Sequence, residues 1–276
     1  MGRVVGSPHT GLPPLHDRRG CWSHESNQIV SHAQHSAGSV IPTSDGNSRV
    51  ILVIPTLNEE EVIRPLVEEA SSLFPRIVVV DGDSSDRTRE IAQSLGTTVI
   101  LQEFGPGKGC GLRTAMKFFL SQVAEILCII DGDGTNIPGD LTPLIEAVRS
   151  GDAEIAIGSR TRGKRDPGSM NWITIASNRV VSYLLSARYG GDFTDIQTGY
   201  WAFSRNAIEQ LFPGLHSTRF EIELEIFAKA QSCGLILKEF PVGFRKRLGR
   251  TKFSFGLRMR NLYFAFKYIL SLRTPG

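Results

Sequence analysis

The sequence predicts an α/β fold with a mostly parallel sheet covered by helices on both sides, occupying residues 49–256 of the 276. Three observations predict it. Apolar runs short enough for strands alternate with segments of helical periodicity. The strand-like runs are apolar at nearly every position, as strands buried on both faces are. Four of them end in clusters of Asp, Asn, Ser and Gly, on the sheet edge where ligands bind in such folds.

The elements follow in order. Residues 1–48 are rich in Gly, Ser, Pro, His and Asn, show no apolar period, and read as a disordered tail. Arg18–Arg19 is not followed by the apolar segment that an export signal needs. Val50–Ile54 is a β-branched strand. Glu59–Leu73 reads as a helix, with Val62, Ile63, Leu66, Val67 and Ala70 forming its apolar face. Ile77–Val80 is the second strand, Asp86–Leu95 the second helix, Thr98–Leu101 the third strand and Gly111–Ala124 the third helix. Ile126–Ile130, Leu141–Ser150 and Ile155–Gly158 continue as strand, helix and strand. At the end, Leu262, Phe264, Phe266, Ile269 and Leu270 mix with Arg258, Arg260, Lys267 and Arg273. Residues 257–276 therefore read as a basic amphipathic helix, suited to an anionic membrane surface or to packing on the domain itself.

Composition narrows the function. Hydrophobic residues make up 41% of the chain and charged residues 21%, which supports a core and excludes whole-chain disorder. No stretch approaches the roughly 20 uncharged apolar residues of a bilayer span. The four cysteines form no C-x-x-C pair, which excludes a zinc ribbon and a thioredoxin motif. Five of the six histidines (His9, His16, His24, His32 and His35) lie in the tail at irregular spacing. The body keeps only His216, which argues against histidine-based catalysis or a multi-histidine metal site. The net charge of +3 hides an asymmetry. From Phe240 onward there are nine Lys/Arg and no Asp/Glu, and before it 22 basic residues face 28 acidic ones, a net −6. A basic end on an acidic body points to a polyanionic partner: phosphate, anionic lipid or nucleic acid.

The strand ends carry the chemistry. They read Pro55-Thr56-Leu57-Asn58-Glu59, Asp81-Gly82-Asp83-Ser84-Ser85-Asp86, Asp131-Gly132-Asp133-Gly134-Thr135 and Gly158-Ser159-Arg160. Any one of them fits a turn or a helix cap. Four on one sheet edge are harder to assign to capping. Asp131 and Asp133, two residues apart past a buried strand, can share a hard divalent cation with a diphosphate. The alternative is a turn carrying two exposed acids. Gly105-Pro106-Gly107-Lys108-Gly109-Cys110-Gly111 resembles a phosphate cradle ahead of a helix, with Lys108 placed to neutralise an anion. It is not a Walker A motif, because Gly109 follows Lys108 where Ser or Thr is required. The alternative is a flexible loop between strand and helix.

Together these segments resemble the family 2 glycosyltransferases of the GT-A fold. Val53–Glu59 resembles the family's opening strand and nucleotide loop, and Val79–Thr88 its "VVDDGSTDGT" segment. Gly107-Lys108-Gly109 with Arg113 resembles its "GKG…R" loop, and Asp131-Gly132-Asp133 its metal-binding DxD. Downstream, the chain resembles the polyprenyl-phosphate (dolichyl-type) sugar transferases within that family. The segments that carry this are Gly158-Ser159-Arg160, Ser177-Asn178-Arg179, Thr194–Tyr200 with Ala202–Arg205, and Gly249-Arg250-Thr251-Lys252, where Thr replaces the usual Ser.

The resemblance implies an inverting transfer of a sugar from a GDP- or UDP-sugar to a polyprenyl phosphate, at the cytoplasmic face of a membrane. It implies a donor site lined by Pro55, Asn58, Glu59, Asp81 and Lys108, with Asp81 on the base. Asp131 and Asp133 hold Mg²⁺ or Mn²⁺ against the donor diphosphate. Arg160, Arg179 and Lys252 converge on the acceptor phosphate, unless each pairs with a nearby carboxylate such as Asp166 or Asp195. In Glu221-x-Glu223-x-Glu225, Glu223 is a candidate for contacting sugar hydroxyls, and an exposed helix face is the alternative. A phosphate monoester with a second pKa near ~6 is already ionised at neutral pH, so such an acceptor requires no general base. Two other readings stand beside this one. A related enzyme with a small phosphorylated acceptor, similar to glucosyl-3-phosphoglycerate synthase, would use the same donor half. A non-catalytic nucleic-acid-binding protein would use the basic end, but no RNP, helix-turn-helix or zinc-finger context accompanies it, so no nucleic-acid partner is expected.

Overall fold

The computed structural model describes residues 47–247 and, beyond them, Gly256, Met259, Tyr263, Phe264, Phe266 and Lys267, which are helical. Nearly all of the expected tail 1–48, Lys252, and most of the expected helix 257–276 lie outside the described residues. Strands and helices alternate from β1 (Val50–Thr56) through α1 (Ile63–Ser71), β2 (Ile77–Asp81), α2 (Thr88–Ser94), β3 (Thr98–Leu101) and α3 (Lys108–Leu120). Then come β4 (Ile126–Ile129), α4 (Leu141–Arg149), β5 (Ile155–Ser159) and the long α5 (Trp172–Tyr189). The chain ends this part with β6 (Trp201–Ser204), α6 (Arg205–Leu211), α7 (Ile222–Ser232) and β7 (Leu237–Pro241).

Among the described residues the sheet has seven strands in the order β3-β2-β1-β4-β6-β5-β7. The pairs β1·β2, β1·β4, β2·β3 and β5·β7 are parallel. Only β6 runs antiparallel, wedged between β4 and β5. The mostly parallel sheet read from the sequence is therefore present. The period of two explains why its strands are apolar throughout. Ile51, Val53, Val78, Val80, Leu127 and Ile129 pack on one face against Leu112, Met116 and Phe119 of α3 and Ile226 and Phe227 of α7. Their neighbours Leu52, Ile54, Val79 and Cys128 pack on the other face against Ile63, Leu66 and Val67 of α1 and Leu144 and Ile145 of α4. Each such side chain contributes roughly 1.5–3 kcal/mol by leaving water. The result is a rigid platform whose strand ends differ only in their loops.

Two boundaries and one burial move from the sequence expectation, for local reasons. The first helix starts at Ile63 instead of Glu59. Asn58 adopts φ +52° and Glu59 gives its amide to Thr88 Oγ1 at 2.8 Å, so the chain turns before it coils. The third helix starts at Lys108, so the end of the glycine-rich stretch is its first turn. The alternative of an exposed Glu221–Glu225 face is corrected: all three glutamates are buried. Glu221 accepts from the Arg219 amide, and Glu225 from the amides of His216 and Ser217 at 2.8–3.2 Å.

Candidate active site

The loops after β1 and β2 are stitched into one wall. Asn58 donates its amide to Ser84 Oγ at 2.9 Å, and its Oδ1 accepts the Ser85 amide at 2.8 Å. Asparagine is among the few residues that take a left-handed conformation at low cost, which explains its place here. Pro55 lies half-buried near the end of β1, beside Gly111. Asp81 ends β2 opposite Thr56 and is fully buried. Its Oδ2 accepts from the Ser84 amide at 3.1 Å and from Arg89 at 2.8 Å. Its Oδ1 and the Thr56 hydroxyl are buried with no hydrogen-bond partner among the described residues. Asp81 is thus half committed to Arg89, a pairing eight residues away that sequence reading overlooked, and keeps one acceptor uncommitted.

The centre lies past β4. Asp131 meets Lys108 Nζ at 2.8 Å, and the same ammonium reaches Glu223 of α7 at 2.6 Å. Three parts of the chain meet there: the start of α3, the end of β4 and the first turn of α7. Burial works against the Lys108 charge, but the Asp131 and Glu223 carboxylates outweigh it and hold the amine protonated above the ordinary lysine range. Burial pushes Glu223 up to about 7, with the Asp131 charge adding to the shift and Lys108 opposing it. Asp133 folds back on its own loop, Oδ1 accepting from the Thr135 amide and hydroxyl at 3.1 and 2.6 Å. Its Oδ2 takes Arg247 at 3.0 Å, and the same guanidinium reaches Glu59 at 2.8 Å. Arg247 was visible in the sequence only as one of nine basic residues after Glu239. No local spacing links it to partners more than a hundred residues away.

Glycines make this centre possible, and not all in the expected way. A Cβ on Gly107 or Gly109 would overlap the backbone carbonyls of Thr218 and Ser217. These two glycines admit a neighbouring loop, and that packing accounts for them without a phosphate. Gly199, in the turn before β6, is the critical one: a Cβ there would overlap the Asp131 carboxylate.

Arg160 follows β5, separated from the donor-side loops by β4 and β6. Its guanidinium is gripped by Asp195 through Nε and Nη2, both at 2.7 Å, and by the Gln197 carbonyl at 2.5 Å. The pairing with Asp195, weighed as an alternative from the sequence, is therefore real. Arg160 still senses the Glu223 and Asp131 carboxylates, which with Asp195 hold it charged. Arg179 is not brought against Arg160. It is exposed on α5 and lines a concavity of about 460 Å³ with Tyr183, Asp192, Phe193 and Thr194. Its neighbour Asn178 is the buried one, donating to Asp195. One residue of helix turns a side chain by about 100°, so of these two adjacent residues Asn178 faces inward and Arg179 outward.

The centre offers two carboxylates, each paired with a cationic side chain: Asp131 with Lys108 and Asp133 with Arg247. Among the described residues no three His, Cys, Asp or Glu side chains gather as a set. Asp131 and Asp133 are both oxygen donors, with side chains 29% and 20% exposed at the sheet edge. The room left by Gly199 fits the Asp131 carboxylate. Two protein oxygens with diphosphate oxygens and water suit a hard divalent cation.

Comparison with known proteins places this geometry. The family model for Glycosyl transferase family 2 matches residues 51–212. "Glycosyltransferase AglJ" of Haloferax volcanii is 32% identical over 208 residues, 75% of this chain and 65% of that one. The chain thus spans just under two thirds of that relative's length. "Polyprenol monophosphomannose synthase" of Mycolicibacterium smegmatis is 27% identical over 246 residues, 86% of this chain and 92% of that one. Among solved structures, glucosyl-3-phosphoglycerate synthase of Mycobacterium tuberculosis, in complex with Mn²⁺ and UDP-glucose, superposes with a TM-score of 0.64. That match covers 82% of this chain and 80% of that one at 20% identity, and establishes likeness of fold. With its family segment running from β1 to the end of α6, the chain belongs to Glycosyl transferase family 2.

Proposed function

We propose that the protein transfers a sugar, with inversion, from a GDP- or UDP-sugar to a polyprenyl phosphate at the cytoplasmic face of a membrane, with a divalent cation at Asp131 and Asp133. One observation carries this reading: the buried carboxylate of the centre, Glu223, is bonded to Lys108 at 2.6 Å and so is not a free base. An alcohol acceptor calls for a free base, whereas an ionised phosphate brings its own nucleophile and calls for cationic positioning. The names of relatives such as the polyprenol monophosphomannose synthase support the same acceptor class.

In this reading the loops of Asn58, Glu59 and Asp81 hold the nucleotide, Asp81 through its uncommitted Oδ1. Bound Mg²⁺ or Mn²⁺ supplies charge neutralisation for the departing diphosphate. Lys108 stays protonated beside that diphosphate, and Glu223 fixes the lysine and faces the sugar hydroxyls. Arg160, pre-set by Asp195 and the Gln197 carbonyl through Nε and Nη2, turns its Nη1 donors to the acceptor phosphate. Arg179 lines the neighbouring concavity, where it receives the lipid side of the acceptor. Trp172 and Tyr183 on α5 are 76% and 70% exposed, with Ile173 and Val180 also exposed, which supports contact with a lipid surface.

The test is a donor screen. Purified protein with Mn²⁺ or Mg²⁺ is incubated with radiolabelled nucleotide sugars and either undecaprenyl phosphate or 3-phosphoglycerate. Label moving into the organic phase is expected. Label transferred only to 3-phosphoglycerate, and retained in water, overturns the lipid acceptor.

A further inference from the structure

Glu239, on β7, lies outside the family-matched segment and touches none of the residues assigned to the donor. It is nonetheless among the most heavily bonded side chains in the molecule. Its carboxylate is 2% exposed. Oε1 accepts the Thr194 and Asp195 amides at 3.0 and 2.8 Å. Oε2 accepts the Thr194 hydroxyl at 3.0 Å and Arg162 Nε at 2.9 Å. A buried carboxylate collecting two backbone amides, a hydroxyl and a guanidinium fixes the loop that carries them. What that loop carries is Asp195, itself fully buried, whose two oxygens grip Arg160 and accept from Asn178. The signs alternate along the chain of contacts: Arg162, Glu239, the amides of Thr194 and Asp195, the Asp195 carboxylate, Arg160. The register agrees, since Glu239 pairs with Ile157 on β5, three residues before Arg160.

We infer that Glu239 is a positioning residue for Arg160, acting through the Thr194–Asp195 loop. Without the Glu239 acceptors the two amides lose their partners, the Asp195 carboxylate loses its fixed origin, and the Arg160 fork is no longer held in one orientation. A guanidinium oriented in advance, with Nη1 left to donate, loses little conformational freedom when it binds an anion, and a loose one loses more. The inference rests on the proposed role of Arg160 for its substrate, though not for the linkage itself.

The test is a double-mutant cycle on the full chain with Glu239→Ala and Arg160→Lys. It is read by steady-state transfer to undecaprenyl phosphate and by calorimetry of the nucleoside diphosphate with Mn²⁺. Glu239→Ala, which withdraws both oxygens, is expected to lower kcat/KM for the acceptor by ~10-fold or more, with diphosphate affinity unchanged. In the Arg160→Lys background the same substitution is expected to cost no more than ~3-fold, because the residue it positions is already impaired. Full multiplication of the two losses overturns the inference, as does an equal loss of diphosphate affinity, which marks general unfolding of the site. If Glu239→Ala does not fold, Glu239→Asp carries the same cycle, keeping the charge near Arg162 while withdrawing it from the amides. The two proposals fail separately. If Arg160→Lys changes donor affinity and leaves acceptor dependence untouched, the acceptor role of Arg160 is wrong. Non-additivity with Glu239 then still establishes the linkage.

Discussion

Replacing Glu223 with Gln separates two chemistries that the same centre could support. Gln keeps the size of the side chain and one acceptor oxygen for Lys108, which also retains Asp131 at 2.8 Å. The Glu223 carboxyl is pushed up to about 7 from an ordinary 4.5, chiefly by burial. A native-state pKa above the unfolded one means that the folded protein holds this proton to higher pH. The wild type therefore loses stability as pH rises from about 4.5 to about 7. An interval of about 2.5 pH units at about 1.4 kcal/mol each amounts to ~3 kcal/mol, an order-of-magnitude figure. The Gln variant has no such proton, so its stability relative to wild type is expected to improve by up to ~3 kcal/mol between pH 5 and pH 8. Urea unfolding at the two pH values reads this directly. A difference that stays flat with pH would mean that burial does not control this carboxyl. Activity gives the second reading. If the acceptor is an ionised phosphate, transfer by the Gln variant falls less than ~10-fold, since no proton has to be taken from it. A loss of ~10²–10⁴ with donor affinity intact would identify Glu223 as a general base for a hydroxyl acceptor, and the phosphate reading would be refuted.

Asp133→Ala is expected to reduce turnover by orders of magnitude, because the leaving diphosphate loses its counter-charge; near-normal rates in EDTA would contradict the cation at this site. Gly199→Ala drives a Cβ into the Asp131 carboxylate, so activity should fall at least ~10²-fold while unfolding by urea moves by only ~1–3 kcal/mol. An active Gly199→Ala protein would show that Asp131 is free to move without cost. Asn58→Ala places alanine at φ +52° and removes the acceptor for the Ser85 amide, and should cost ~1–2 kcal/mol together with a measurable loss of nucleotide affinity. Calorimetry with UDP and GDP checks the second part; unchanged affinity would remove this loop from the donor site.

The parts of this protein that sequence reading recovers are those written in short-range patterns. Val50–Ile54, Ile77–Val80 and Ile126–Ile130 are strands because each is buried on both faces, and an unbroken apolar run says so. Lys108, Asp131 and Glu223, each singled out from a motif of neighbouring residues, do meet in space. What was hidden is long-range pairing. Arg247 reaches Asp133 and Glu59, and Glu239 reaches Thr194, across gaps that no periodicity spans. The insertion of β6 between β4 and β5 was hidden for the same reason, because Trp201–Ser204 has too few residues to announce its partners. Arg179 shows the remaining weakness. A motif finds the helix, but the phase of the helix decides which of two adjacent residues faces inward.

The position of β7 has a practical consequence for anyone dividing the chain. The recognisable family segment ends at residue 212, yet β7 pairs with β5 along its whole length and closes that side of the sheet. A fragment cut where the family segment stops would leave β5 as a bare edge, with a row of unmatched amides and carbonyls open to a neighbouring molecule. It would also lack Glu223, Glu239 and Arg247. Such a fragment is expected to aggregate and to be inert. The shortest excised piece able to stand by itself has to run through Arg247, and domain shuffling among relatives has to carry residues 213–247 along with the segment before them.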